Sequence, residues 1–368
     1  MNNEQEKIEL QYVTYEDVKN GVFIDNDDYH VASEGMKKNL IEVVLSNPFL
    51  KYYDRPCFLF SRYNGVVGGR VLYYPTKMVI DDEVCDALSS SDLFVEESLR
   101  NAAIGLDLVL YPIRQKLYCY TVFAGLSPMA KKIQKKLPKT TFFETPKMRQ
   151  YRNVRAILQH IGVNRIWLPV LSFLPNQFVR LYVSIIKWYC SRKGKDFVLK
   201  KLGKVPSWVD KIVLNDGHKY KEYHNHEWMQ WALDYDYWPN EQNKNEFVAI
   251  YKDDKPIGFF FTKVRCIEQK NGMKNFKKGA IFEWGTSDES VLSEETITKL
   301  ALSSFDVNID YCEFTSQTES IVRRFKKYGF IEVDKAAISL RDLQKKNHDF
   351  GNINNWRIRL GYADTIFY

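Results

Sequence analysis

The segment from Arg100 to Gly105 combines the residue types that bind a phosphate group at the start of a helix. A phosphate needs several convergent backbone N–H donors, and the first turn of a helix supplies them together with a favourable dipole. Ala102, Ala103 and Gly105 are small enough to let the backbone approach an anion closely, and Arg100 adds a charged donor. The segment therefore predicts a site for a phosphate or a pyrophosphate.

Two elements must hold this segment in place. Leu93, Phe94 and Val95 form an apolar run that is typical of a short buried strand, and an apolar helix is expected over residues 106–117. Pro112 would kink that helix. A strand that runs directly into a helix N-terminus is the arrangement in which backbone donors converge on an anion.

The remaining elements follow the same order in both halves of the chain. In the first half, the sequence predicts strands over residues 8–15, 57–63, 66–74, 93–95 and 118–123, and helices over residues 28–47, 106–117 and 128–137. A hairpin turn at Asn64-Gly65 joins the second and third of these strands. Residues 149–161 fit either a strand or a helix. In the second half, the sequence predicts strands over residues 211–214, 247–251, 256–264, 279–285, 311–315 and 333–340, and helices over residues 223–235, 293–305 and 318–328. The strands 247–251 and 256–264 form a hairpin.

The length and composition indicate two domains without a metal centre. A chain of 368 residues exceeds the size at which one core stops growing. We expect domains at residues 1–162 and 207–368, joined by an apolar and basic interdomain segment at 163–206. The net charge of +7 suits an anionic partner or an ordinary soluble surface. The six cysteines form no close pair, so neither a disulfide framework nor a metal site is expected.

Residues 166–190 form an unusually apolar run, and a basic cluster follows it. Prolines and charged residues interrupt the run, so a transmembrane span is not expected. The segment 166–204 is either a helix packed between the two halves with a solvated basic tail, or a peripheral contact with an anionic membrane face. The polar N-terminus carries no signal-peptide pattern, so a cytoplasmic location is expected, with or without membrane association.

The strand, the acidic residues after it and the pattern Arg-x-x-Ala-x-Gly resemble the acetyl-CoA loop of the GNAT acetyltransferase superfamily. That family usually has glycine at the position of Ala103. The resemblance implies that acetyl-CoA or another acyl-CoA is the co-substrate, and that backbone groups near Phe94 and Val95 pair with its pantetheine arm. The cofactor-binding residues that it implies are Phe94, Val95, Arg100, Asn101, Ala102, Ala103, Ile104 and Gly105.

Residues 317–330 resemble another part of the same family, its late helix and the Gly-Phe ending that follows. The family often has an Asn and a catalytic Tyr here, where this chain has Gln317 and Phe325. The second half is therefore expected to face the acceptor or to be degenerate. The resemblance implies an α/β (α+β) fold of two tandem GNAT-like domains, each a mixed, mostly antiparallel twisted sheet flanked by helices.

Catalytic candidates follow from the same resemblance. Acetyl transfer to an amine needs a base for the ammonium proton and donors for the developing oxyanion. A backbone N–H near Val95 would stabilise the oxyanion, and Glu96 or Glu97 would act as the base. Tyr118, or Tyr120, would be the acid. Each side chain also has a purely structural explanation, as a first-turn acid favoured by the helix dipole or as a tyrosine packed in the core.

Three functions remain open on the sequence. The leading hypothesis is an acyl-CoA-dependent acyltransferase, in particular an N-acetyltransferase, with a small-molecule or peptide amine, or a hydroxyl, as acceptor. A Fem-like transferase that uses aminoacyl-tRNA is an alternative, with the basic residues 192–204 meeting the tRNA. A binding or scaffold protein that keeps the fold without catalysis is the third. Nucleic acid other than tRNA is not expected as a partner.

Overall fold

The protein is described from a computed structural model that covers residues 8–22, 34–64, 66–100, 104–163, 168–236, 240–270, 273–344, 346 and 348–362. The parts of our predictions that fall on residues 28–33, 65, 101–103 and 164–167 lie outside the described residues. The helices are α1 (Tyr15–Lys19), α2 (Glu34–Leu45), α3 (Ile104–Gln115), α4 (Pro128–Lys136), α5 (Val154–His160), α6 (Leu168–Arg192), α7 (Trp208–Leu214), α8 (His226–Asp234), α9 (Glu294–Ser304) and α10 (Glu319–Lys326).

The described strands belong to one thirteen-stranded sheet. They are β1 (Ile8–Thr14), β2 (Pro56–Tyr63), β3 (Val66–Ile80), β4 (Glu83–Val95), β5 (Tyr120–Ala124), β6 (Thr140–Tyr151), β7 (Val198–Leu202), β8 (Tyr220–Glu222), β9 (Lys244–Lys252), β10 (Lys255–Lys270), β11 (Met273–Thr286), β12 (Tyr311–Thr315) and β13 (Ile331–Asp342). The sheet has the order β1-β2-β3-β4-β5-β13-β6-β12-β11-β10-β9-β7, and β8 pairs with β3. Within the described ranges, β4–β5 and β11–β12 pair in parallel and the other pairs are antiparallel. This mixed, mostly antiparallel sheet with flanking helices confirms the predicted fold class.

The two halves exchange their last strands. β13, from the end of the chain, pairs with β5 of the first half, as Ser339 does with Phe123. β6, from the first half, pairs with β12 of the second half, as Arg149 does with Glu313. β6 and β13 also pair with each other. The halves therefore share a continuous sheet, and the domain boundaries at residues 162 and 206 stay a prediction.

The hairpins and several helices lie where the sequence predicted them. β2 and β3 meet at Asn64, whose φ of 49° is the left-handed conformation that such a turn requires. β9 and β10 meet at Asp253 and Asp254, which are both left-handed. The ambiguous stretch 149–161 contains both candidates, because β6 ends at Tyr151 and α5 follows.

The strand predicted at residues 211–214 was wrong. These residues belong to α7, which buries Val209, Ile212 and Val213 at the spacing of one helix face. The outermost strand of the second half is instead β7, which lies in the segment expected to be a basic tail. Its charged residues suit a sheet edge, because lysine side chains there discourage pairing with other chains.

Large apolar side chains cover both faces of the sheet in the second half. The run Phe259-Phe260-Phe261 in β10 shows this, because neighbouring residues of a strand point to opposite faces. Phe260 packs with Trp284 in one apolar cluster, whereas Phe259 and Phe261 belong to another. The continuous apolar run in the sequence thus reflects a strand that is covered on both sides.

Candidate functional site

A cleft opens where the parallel strands β4 and β5 part. Their pairing runs from Ala87 opposite Tyr120 to Ser89 opposite Val122. Beyond that point β4 continues to Val95 and β5 continues to Ala124. The space between them is about 340 Å³, and residues 90–93 and 123–127 line it together with residues of α3 and α4. Strands that separate in this way leave backbone donors and acceptors for a ligand.

A β-bulge lies in β4 beside this cleft. The register between β3 and β4 shifts between Arg70 and Leu72, and Asp92 has a φ of 51°. The buried Arg70 guanidinium holds the bulge, since its Nε lies 2.9 Å from Asp92 Oδ2 and the group stacks over the ring of Phe94. A bulge redirects the backbone of its strand. The backbone around Phe94 is therefore fixed in a non-standard orientation beside the cleft.

Two glycines of β3 allow α3 to begin close to the sheet. A Cβ atom on Gly69 would lie 2.8 Å from Ile104 Cγ2 and 3.1 Å from the carbonyl oxygen of Phe94. A Cβ atom on Gly68 would lie 2.5 Å from Leu99 Cδ1. The Glu96 N–H donates to the Gly68 carbonyl at 2.9 Å. The end of β4 and the start of α3 are thereby brought together over these glycines.

The predicted cofactor-binding residues fall into three groups. Phe94 and Val95 are half-buried at the end of β4, and the buried Ile104 begins α3 beside them. Gly105 faces Val95, because a Cβ atom there would lie 3.3 Å from Val95 Cγ2. Arg100 is exposed and pairs with Glu97 at 3.4 Å. Asn101, Ala102 and Ala103 lie outside the described residues.

The predicted catalytic residues do not come together. Glu97 is exposed, and Glu96 is half-buried on the short turn between β4 and α3. Tyr118 is buried before the start of β5, under the Arg55 guanidinium at 4.5 Å, whereas the cleft lies beyond the other end of that strand. Burial raises the pKa of Tyr118, and Arg55 opposes this only in part. Buried Tyr120 is 3.3 Å from His348, also away from the cleft lining.

The exchanged strand β13 helps to build the cleft. α4 forms one wall, with Ala130 and Ile133 in the lining. Its Gln134 accepts a buried hydrogen bond from Ser339 Oγ of β13 at 2.9 Å. Gly125, with a φ of 65°, makes the turn between β5 and α4. The cleft of the first half thus depends on a strand from the end of the chain.

The second half has an equivalent parting of strands, but the chain itself fills it. β11 and β12 pair from Lys278 to Ala280 and then separate. Residues 356–362 lie along the opening, where the Gly361 N–H donates to the Phe282 carbonyl at 3.1 Å. The Gln317 side chain donates to the Trp356 carbonyl at 2.5 Å and accepts from the Ile358 N–H at 3.2 Å. Gln317, the residue at the family's Asn position, therefore anchors this segment.

Buried ion pairs hold the same segment. Arg357 lies 2.5 Å from Glu283 and 3.1 Å from Asp216. His224 lies between Glu222, at 3.1 Å, and Glu283, at 2.6 Å. Burial would raise the pKa of Glu283, but the charges of Arg357 and His224 lower it to about 2. The carboxylate is thus ionised and the segment is fixed in the second opening.

A second pocket of about 240 Å³ adjoins the cleft, because both are lined by residues 124–126. Its wall contains Glu313, which is 1% exposed. Three cations surround this carboxylate: Lys278 at 2.7 Å, Arg149 at 3.0 Å and Lys147 at 3.4 Å. Burial would raise the pKa of Glu313, but the three charges outweigh burial and hold it well below its ordinary value. The cluster carries an excess of two positive charges.

Sequence reasoning missed most of these features. Gly68-Gly69 inside a strand was an available signal, since glycine there often marks the close approach of another backbone. The cluster around Glu313 had no signal, because its cations come from β6 and β11, far away in the sequence. The filling of the second opening by residues 356–362 also involves contacts that no local pattern encodes.

Solved structures of several acyltransferases share the fold of this chain. No protein-family model and no curated protein sequence matches the chain. A GCN5-related N-acetyltransferase from Anabaena variabilis is similar, with a TM-score of 0.55 and 10% identity over 92% of this chain and 73% of that one. Saccharomyces cerevisiae N-myristoyltransferase with bound myristoyl-CoA has a TM-score of 0.55 and 12% identity over 91% and 82%. An Enterococcus faecalis protein described as a probable N-acyltransferase has a TM-score of 0.53 and 9% identity over 92% and 73%.

Proposed function

We propose that this chain, which has the GNAT fold, is an acyl-CoA-dependent acyltransferase that binds acyl-CoA in the cleft between β4 and β5. One observation carries the proposal: the first parting of parallel strands is open, whereas residues 356–362 fill the second. The low identities to the similar structures make them evidence for the fold, so the activity rests on this cleft and its surroundings.

The end of β4 and the start of α3, which follow the lining residues 90–93 along the chain, would supply the groups that a bound thioester needs. Backbone groups of Phe94 and Val95, at the end of β4, would bind the pantetheine arm, and a backbone N–H near Val95 would stabilise the oxyanion. The start of α3 would meet the phosphates, with Arg100 as a charged donor. Acetyl-CoA is the simplest acyl donor. The cleft has a volume of about 340 Å³, so a longer acyl-CoA is tested as well.

The adjoining pocket is the proposed acceptor site. Because it meets the cleft at residues 124–126, an acceptor bound there would lie beside the thioester. The excess of positive charge around Glu313 favours an acceptor that carries a carboxylate or a phosphate as well as the reacting amine or hydroxyl. A small molecule or a peptide would meet this requirement.

The proposed base is Glu96 or Glu97 rather than Glu313. A carboxylate whose pKa is held far below its ordinary value is a weak base. Glu96 is the better placed of the two, since it follows the end of β4 directly and its backbone N–H donates to the Gly68 carbonyl of β3. Tyr118, buried away from the cleft, stays a prediction as the acid.

Binding of acyl-CoA to the purified protein tests the proposal. A ligand at about a hundred times its dissociation constant stabilises the folded state by about 2.7 kcal/mol, so acetyl-CoA or a longer acyl-CoA is expected to raise the melting temperature. Arg100→Ala is expected to weaken binding by about tenfold to a hundredfold, because a hydrogen bond to a charged group contributes about 1.5 to 3 kcal/mol.

Arg114→Ala is the matched control for Arg100→Ala. Arg114 is also exposed and also pairs with an acid, Asp107, but it lies in the last turn of α3. The control variant is expected to bind acyl-CoA like the wild type. If neither acetyl-CoA nor a longer acyl-CoA shifts the melting temperature at millimolar concentration, the proposal fails. A salt-sensitive shift with aminoacyl-tRNA would then favour the Fem-like alternative.

A further inference from the structure

α6 lies on the surface, packed against α5 and α9, with only a narrow stripe turned inward. Ser172, Val183, Ile186 and Cys190 are buried and recur at the spacing of one helix face. Ile186 and Cys190 share an apolar cluster with Leu300 of α9. The Val154 N–H of α5, in the first half, also donates to Asn176 Oδ1 of α6 at 2.7 Å. One side of α6 therefore packs against elements of both halves, as the packed-helix alternative expected, and the other side is left uncovered.

The opposite side of α6 is apolar and exposed. We define the outer face of α6 as Val170, Leu174, Phe178, Leu181, Ile185 and Trp188, which recur every three or four residues. Each of these side chains is between 56% and 77% exposed. The surface of a soluble protein rarely carries so continuous a row of large apolar side chains, and such a row indicates contact with a membrane or with another protein.

The helix does not have the properties of a membrane-spanning segment. None of the helices among the described residues is long and apolar enough to cross a membrane. Arg180 is exposed in the middle of α6, and Pro175 lies inside the helix. An amphipathic helix with one apolar side and a polar flank suits the plane of a bilayer surface instead.

Positive charge flanks the outer face at its C-terminal end. Residues 168–192 contain no acidic side chain, and exposed Arg192, Lys193 and Lys195 lie at the end of the helix and just beyond it. Asp196 is the one acid between them and β7. The Arg192 guanidinium stacks over the ring of Trp188 at 4.5 Å, and Lys193 Nζ lies 5.9 Å from the ring of Tyr189. Cations beside half-exposed aromatic rings suit the headgroup region of a bilayer, where both groups are partly wet.

We infer that the outer face of α6 binds the surface of a membrane that contains anionic lipid. The charge favours this partner over a second copy of the chain, because α6 of a second copy would offer no acid to pair with Arg180 or with the cations at the end of the helix. Anionic headgroups supply the missing charge, and each lysine or arginine near such a surface contributes favourably. The inference does not depend on acyl-CoA binding, because α6 contributes nothing to the cleft lining.

Co-sedimentation of the full chain with lipid vesicles tests this inference. The protein is expected to pellet with vesicles of equal parts phosphatidylcholine and phosphatidylglycerol, and to pellet less with phosphatidylcholine alone or at high salt. The double substitution Leu174→Glu with Leu181→Glu is expected to lower the partition constant at least about tenfold, because burial of even one leucine favours partitioning by roughly that factor.

The control variant is Val84→Glu with Ile331→Glu, which places the same two charges on exposed apolar residues of β4 and β13. It is expected to pellet like the wild type, and all three proteins are expected to melt at similar temperatures, since the substituted side chains are exposed. Wild-type protein that stays in solution with both vesicle types would overturn the inference. So would an α6 double variant that still pellets, or a wild-type dimer that the α6 double substitution makes monomeric and that ignores vesicles.

Discussion

Glu313 shows how one buried carboxylate organises the centre of the sheet. It lies on β12 and joins Lys147 and Arg149 of β6 to Lys278 of β11. Because the exchanged strand β6 supplies two of these cations, the carboxylate links the two halves as well as shaping the proposed acceptor pocket. Removing one member of a buried ionic group leaves the others uncompensated, which is costly.

Glu313→Gln is therefore expected to destabilise the protein by about 3 to 5 kcal/mol, measured by urea denaturation. The folded-state pKa of Glu313 lies below its ordinary value of 4.5, so its stabilising contribution is present above that pH and is lost as the pH falls through the folded pKa. The difference between wild type and variant should shrink in acid. Glu319→Gln, at an exposed ion pair with Arg323, is the control and should change little. Equal stabilities at neutral pH would refute this role of Glu313.

Among the helices and strands, the close packing of the start of α3 against Gly69 of β3 positions the proposed phosphate site. Gly69 is expected to tolerate no side chain, because a Cβ atom would press on Ile104 and on the Phe94 backbone. Gly69→Ala should destabilise the protein by about 1 to 3 kcal/mol and weaken acyl-CoA binding, since the start of α3 must shift. Denaturation and calorimetric titration measure the two effects.

Gly203→Ala is the control for that substitution, because a Cβ atom on Gly203 would contact nothing within 4 Å. It should leave stability unchanged or slightly higher, as the unfolded chain loses freedom. If Gly69→Ala binds acyl-CoA and unfolds like this control, the close approach of α3 to β3 has no functional role.

Elements with strong local signals could be predicted from the sequence, and elements set by distant contacts could not. The turns at Asn64 and Asp253-Asp254, strand β12 and the helices α3 and α9 follow from turn chemistry and apolar spacing. The apolar run in α7 is too short to distinguish a strand from a helix, and β7 is a strand only because β9 pairs with it.

For the whole molecule, the exchange of β6 and β13 makes each half depend on the other. β6 pairs with β12 and β13, both from the second half. A fragment of residues 1–162 would leave β6 and the free side of β5 without these partners. It is expected to show no cooperative thermal unfolding by circular dichroism, whereas the full chain unfolds cooperatively. A monomeric fragment that melts cooperatively would show that the first half folds alone.

The sequence also predicted the first cleft better than the second. The strand and helix around residues 93–105 carry a local pattern, so their adjacency could be inferred. That Gln317 anchors residues 356–362, and that Arg357 pairs with Glu283, follows only from the folded chain. Residues 356–362 thereby fill the opening between β11 and β12, so acyl-CoA is expected to bind in the first cleft.

Hydrogen exchange with and without acyl-CoA tests whether the ligand occupies the first cleft. Backbone amides that bind the ligand or lie beneath it exchange more slowly. Saturating acyl-CoA is expected to protect residues 90–95 and 123–134, in and beside the first cleft, and to leave residues 280–286 and 313–317 of the second opening unchanged. Protection confined to the second opening, or no protection at residues 90–95, would contradict this expectation.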